Sequence, residues 1–247
     1  MTVRVEPGPV VRVTLARPER RNALDPELIG ALTEAFEAVA DADARAVVLA
    51  GDGPSFCAGA DIDWMRASVD LSYQANVADA LRLRALLDAI DGCPLPVVAR
   101  VHGHALGGGC GLVACCDVAV AAPDAVFGFT ETKLGIVPAV ISPFVLAKIG
   151  AGAARRYFVT GERFDAQTAL RIGLVHEVSD DAERVVAELL GAGPEATRIA
   201  KQLARAPHGP DETARITAER RTSVEGQEGL RAFLEKREPS WRAEAAT

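Results

Sequence analysis

No stretch of this 247-residue sequence approaches the roughly 18 apolar residues needed to cross a bilayer, so no membrane association is expected. Positive charge is in deficit: 27 Lys and Arg stand against 34 Asp and Glu, a formal net charge of −7. No basic run and no interleaved aromatic platform appears, which argues against a nucleic-acid partner. A negatively charged ligand stays compatible with this balance, because local donors matter more than net charge at a site. Residues 1–9 have neither a cationic start with an apolar run nor a transit-peptide composition, so a cytoplasmic location is expected. Histidines are few, and none of the 4 stands at ligand spacing from the 5 cysteines. Cys57, Cys93, Cys110, Cys115 and Cys116 are odd in number and read as reduced, buried small residues rather than a metal site. Tandem repeats, low-complexity segments, a nucleophile elbow, a P-loop and a dinucleotide-binding glycine fingerprint are all missing.

With 49% hydrophobic and 25% charged residues, the chain has the composition of an ordinary globular protein with a sizeable core. Residues 10–15 alternate and predict a strand. Asp25 followed by Pro26 predicts a helix start, and Leu28, Leu32, Phe36 and Val39 recur at helical spacing to about Ala40. Residues 45–50 form a short apolar run, as expected of a buried strand. The pattern then repeats. A helix carries Val77, Leu81, Leu83, Leu87 and Ile90, and a second buried strand spans 96–101. Further strands are predicted at 117–122 and 126–129. Strands alternating with helices predict an α/β core with parallel sheets. After about Asp180 only helices are expected, with a soft boundary near 191–193.

Two glycine-bearing loops follow the buried strands: Phe56-Cys57-Ala58-Gly59-Ala60-Asp61, and His104 through Gly111. Both fall beyond the carboxyl ends of strands, where open α/β sheets present ligand sites. The second opens a helix within Gly107-Gly108-Gly109, whose free N–H groups point outward. One such loop reads as a tight turn. Two in equivalent places leave that reading and a paired-donor oxyanion hole equally open. Among carboxylates, Glu131 lies between the strand at 126–129 and the apolar stretch 133–138. Partial desolvation there would raise its pKa toward an acid/base range, although a solvated loop carboxylate is the usual case for one glutamate.

Residues 17–24, 56–62 and 103–109, Phe127-Gly128 with Glu131, Leu134-Gly135 with Pro138, Gly173-Leu174-Val175 and the ending 229–237 occur in order along the chain. This ordered set resembles the crotonase (enoyl-CoA hydratase/isomerase) superfamily. The resemblance implies a crotonase-like spiral of ββα units over 1–190 and a helical C-terminal region over 191–247 that builds a homotrimer or a homohexamer (a dimer of trimers). It implies an acyl-CoA thioester as substrate and no separate cofactor, coenzyme A being part of that substrate. The backbone N–H groups of Ala58 and Gly108 would hold the thioester oxygen. Ala58, Gly59, Ala60, Asp61 and Ile62 would line the coenzyme A path, with Arg21 near its phosphates. Phe233 and Lys236 would reach the coenzyme A of a neighbouring subunit.

One departure bears on mechanism. Hydratases of this superfamily carry two glutamates, and the first stands two residues after the glycine triplet; here that position is Gly111, while the second is Glu131. An isomerase needs one base only, so Glu131 would suffice. In a hydratase, Glu131 would serve both proton transfers without a second group to orient the water. Residues 60–65, 109–113, 130–135 and 138–143 resemble the methylglutaconyl-CoA and carboxygeranoyl-CoA hydratase-like subgroup, which implies hydration of an α,β-unsaturated, branched or carboxylated acyl-CoA. Lys133 and Arg66 are candidate cations for a carboxylated chain. An isomerase using Glu131 alone and a catalytically silent acyl-CoA-binding member are the alternatives.

Overall fold

A computed structural model describes residues 1–40 and 42–244; residues 245–247, the end of the expected helical region, lie outside the described residues. Six strands form the main sheet: Val3–Glu6 (β1), Val10–Leu15 (β2), Ala46–Gly51 (β3), Val97–Val101 (β4), Val118–Ala121 (β6) and Glu177–Val178 (β9), in the order β1-β2-β3-β4-β6-β9. The β1–β2 pair is antiparallel and every later neighbour is parallel. The apolar runs of β3 and β4 sit in the middle of this sheet, buried on both faces, as their lack of alternation requires.

Helix Pro26–Ala40 (α1) begins where Asp25 Oδ1 accepts the Leu28 N–H at 2.8 Å. Its face of Leu28, Ile29, Leu32, Phe36 and Val39 is buried. Ile62–Ser68 (α2) is short, and Tyr73–Gly92 (α3) packs on α1 through its second half, where Leu86, Leu87 and Ile90 are buried. The other face of the sheet is covered by Glu183–Gly191 (α7), whose Val186 joins Val48, Val98 and Val120.

A second, three-stranded sheet comprises His104–Leu106 (β5), Val126–Gly128 (β7) and Arg163–Asp165 (β8). The chain leaves the main sheet for this one between β4 and β5, at Gly103. Its φ is +55°, and a Cβ there would stand 2.1 Å from the Pro54 carbonyl oxygen, so only glycine makes the turn. This step from one sheet to another is what produces the spiral. Helix Gly108–Cys115 (α4) follows β5, Ser142–Thr160 (α5) packs on α4, and Ala166–Ile172 (α6) follows β8.

The remaining helices are Pro194–Leu203 (α8), Pro210–Thr222 (α9), Val224–Glu235 (α10) and Ser240–Glu244 (α11). α10 packs on α9, whereas α11 returns to α7, where the Trp241 indole N–H donates to the Gly191 carbonyl at 3.2 Å. All five cysteines are buried, and burial pushes the Cys57 and Cys116 thiols up to about 12. They therefore stay protonated and behave as small apolar residues.

Candidate functional site

The loop after β3 is sewn to the loop after β4 by backbone hydrogen bonds. The Phe56 N–H donates to His102 O at 2.9 Å, the Cys57 N–H to His104 O at 2.9 Å, and the Leu106 N–H to Cys57 O at 3.0 Å. Cys57 thereby pairs in parallel with Ala105. Three residues beyond that pair on each side stand Ala60 and Gly108. Close approach is enforced by size: a Cβ at Gly109 would lie 2.4 Å from Cys57 O, and one at Gly59 would lie 3.2 Å from Leu106 O.

Two backbone donors are free here. Ala60 is held on both sides by Leu24, whose N–H donates to Gly59 O at 2.7 Å and whose carbonyl accepts the Asp61 N–H at 2.8 Å. The Ala60 N–H itself has no acceptor among the described residues. Gly108 is the first residue of α4, so its N–H precedes the intrahelical ladder. A Cβ at Gly108 would stand 2.7 Å from Leu24 Cδ1. The expectation for Ala58 needs correction. Its N–H already donates to Arg21 O at 3.0 Å, and Gly59, at φ 101°, turns the chain before Ala60. The N–H left without an acceptor among the described residues is that of Ala60, two residues on.

Glu131 sits in a 3-10 turn, Thr130–Leu134, directly after the second sheet. Its carboxylate faces Gly107, where a Cβ would be 3.2 Å from Oε1. Gly107 is itself tied to the second sheet by its N–H, donated to Gly128 O at 2.8 Å. Glu131 Oε2 is buried without a hydrogen-bond partner among the described residues. Burial raises the Glu131 pKa above the ordinary carboxylate value, opposed only by its own backbone N–H. A half-buried carboxylate with an idle oxygen beside two idle N–H donors is equipped to move a proton near a polarised carbonyl.

The position of the absent first glutamate is closed by apolar groups. A Cβ at Gly111 would meet Ile141 Cγ2 at 2.5 Å and Leu87 Cδ2 at 3.6 Å. Ile141 and Leu87 are both buried. This wall has no periodic signature in the sequence, because it joins α3, α4 and the start of α5.

Arg21, Ala58, Ala60, Asp61 and Ile62 converge on one surface cavity of about 340 Å³, whereas Gly59 does not line it. A larger cavity of about 660 Å³ lies across the fold, between the end of α4, α5 and α8. Its cations are satisfied internally: Lys201 pairs with Asp117 at 2.7 Å, Lys148 donates to Cys116 O at 2.5 Å, and Arg205 pairs with Asp91. Glu131 is not among the residues that line it. Phe233 stands 81% exposed on α10, and Lys236 ends that helix with φ 56°. Neither proposed acyl-chain cation is enclosed: Lys133 is exposed, and Arg66 is exposed and paired with Asp63 at 2.5 Å.

The chain matches the family model described as Enoyl-CoA hydratase/isomerase over residues 6–244. It is similar to a putative enoyl-CoA hydratase of Thermus thermophilus, 36% identical over 96% of this chain and 99% of that protein. Among solved structures, Pseudomonas aeruginosa AtuE superposes with a TM-score of 0.92 at 40% identity, covering 98% of this chain and 100% of that one. An enoyl-CoA hydratase from Shewanella pealeana gives 0.91 at 37% identity, covering 98% and 96%.

The burial of Glu131 has a consequence for stability. A carboxyl whose folded pKa is raised stabilises the fold while protonated, and that contribution is lost as pH rises through the folded pKa. Glu131→Gln should therefore be more stable than the wild type at neutral pH, and the gain should shrink as the medium is acidified into the carboxylate range. Urea unfolding midpoints across that range check this. A difference independent of pH, or of opposite sign, would contradict it.

Proposed function

The chain belongs to the enoyl-CoA hydratase/isomerase family, and from that premise we propose that it adds water to an α,β-unsaturated, branched or carboxylated acyl-CoA, with Glu131 as the one acid/base. The observation that carries this reading is the idle, buried Glu131 Oε2 beside the idle N–H donors of Ala60 and Gly108. Coenzyme A lies along the cavity at Arg21, Ala58 and Ile62, and the thioester oxygen accepts from Ala60 and Gly108. The Glu131 carboxylate takes a proton from water as the water oxygen bonds to the β-carbon. The displaced π electrons move to the thioester oxygen and form an enolate. Protonated Glu131 then returns its proton to the α-carbon, so H and OH add across the double bond. Each donor lowers the barrier by about 3 kcal/mol if it behaves as other oxyanion-hole donors do.

A second reading has its own observation. The apolar closure at Gly111 by Ile141 and Leu87 supplies nothing to orient a water, which suits proton transfer between carbons. The test is incubation with crotonyl-CoA and with branched and carboxylated enoyl-CoA thioesters in 18O-water, followed by mass spectrometry. Hydration predicts a product heavier by one labelled water, and Glu131→Gln should lower that rate by about 100- to 10,000-fold. An isomer of unchanged mass would support the second reading. Turnover that survives Glu131→Gln would remove both.

We also propose a homotrimer or homohexamer in which Phe233 and Lys236 meet a neighbour's coenzyme A. The exposed Val224, Phe233 and Leu234 of α10 support it. Light scattering should show three or six chains, whereas a monomer with full coenzyme A affinity would exclude this arrangement.

A further inference from the structure

Three charged groups, one buried and two half-buried, lie beside the site. Asp61 is only 4% exposed, and the side chains of Arg17 and Asp25 are 14% and 19% exposed. The Arg17 guanidinium reaches Asp25 Oδ2 at 2.6 Å, Asp61 Oδ2 at 3.4 Å and the Ala23 carbonyl at 3.0 Å. Each carboxylate uses its other oxygen to start a helix. Asp25 Oδ1 accepts the Leu28 N–H at 2.8 Å, and Asp61 Oδ1 accepts the Asp63 N–H at 2.8 Å. The Arg17 backbone is fixed in turn, its N–H donating at 2.8 Å to the wholly buried Asn22.

The guanidinium thus spans two chain segments, 23–25 and 59–61, which the Leu24 backbone bonds also join. Buried ion pairs contribute little net stability, because desolvation offsets the attraction. What a rigid, planar guanidinium supplies is geometry. The free N–H of Ala60 lies inside the clasp, between its two hydrogen bonds.

We propose that Arg17, braced by Asp25 and Asp61, is a positioning residue that fixes the direction of the Ala60 N–H toward the thioester oxygen. The proposal rests on the reading of Ala60 as an oxyanion donor. An N–H that drifts by about 1 Å loses most of its value at the transition state, a cost on the order of 100-fold. Ground-state binding through the coenzyme A portion is affected far less. Arg17→Lys keeps the charge but loses the fork, Arg17→Met loses both, and Asp25→Asn keeps the helix-starting oxygen while removing one brace.

The test combines kinetics with two probes that a general loss of structure would not separate. One is the infrared carbonyl band of a bound 13C-labelled acyl-CoA thioester; the other is affinity for the thioether analogue, which lacks the carbonyl oxygen. In the wild type the carbonyl band should move to lower frequency on binding. The shift should shrink in the order Arg17→Lys, then Arg17→Met, with kcat falling by about 10- to 100-fold, KM changing less, and thioether affinity retained. Asp25→Asn should lie between the wild type and Arg17→Met. Variants that keep the full carbonyl shift and kcat would overturn the proposal, as would an equal loss of thioether and thioester affinity. A wild-type complex with no carbonyl shift would instead remove the oxyanion reading, and the proposal with it.

Discussion

The backbone bonds that join Cys57 to His104 and Leu106 set the geometry on which the rest of the site depends. They hold two loops from adjacent strands of the main sheet in register, so that Ala60 and Gly108 stand equally far beyond the pair. Size restrictions follow from that closeness. Glycine at 103 and 109 is demanded by neighbouring carbonyls, and at 59 and 103 by a positive φ as well. The second sheet completes the arrangement, because Gly107 is anchored to Gly128 and the chain that continues from there delivers Glu131. Covalent order would not place these residues together; the switch of sheets at Gly103 does.

Within this frame the electrostatics are spare. One carboxylate is half-buried with an unused oxygen, and its charge is disfavoured by desolvation alone. Its environment keeps it ready to accept a proton, and the adjacent backbone donors contribute partial positive charge without a titrating group. Ile141 and Leu87 pack against Gly111, so that a side chain at that position would meet hydrocarbon. In the proposed reaction both proton transfers therefore fall to Glu131. Arg17, Asp25 and Asp61 keep their charges a step away, where they bear on geometry rather than on the reacting atoms.

Much of this was legible in the sequence, for identifiable reasons. The continuous apolar runs became β3 and β4, and the Asp25-Pro26 start opened α1 as its capping chemistry required. The glycine triplet opened α4, and the strands ceased after β9. The short strands β1, β5, β8 and β9 were not legible, since so few residues carry no period and they exist through pairing with their neighbours. Nor were helices α2, α5 and α6. The choice between Ala58 and Ala60 could not be made from residue type, because both are alanines flanking one glycine; it is decided by the Arg21 carbonyl, which takes one N–H and leaves the other. The Ile141 wall and the Arg17 brace were likewise invisible, being contacts between segments far apart in the chain.

The central claim is that the Ala60 N–H, and not the Ala58 N–H, polarises the substrate carbonyl. Replacing each alanine in turn by its α-hydroxy acid removes one N–H and leaves the side chain untouched. Loss of the Ala60 N–H should lower kcat by about 100- to 1,000-fold, while loss of the Ala58 N–H should lower stability and leave kcat near that of the wild type. The reverse pattern, or equal kcat in both, would contradict the account.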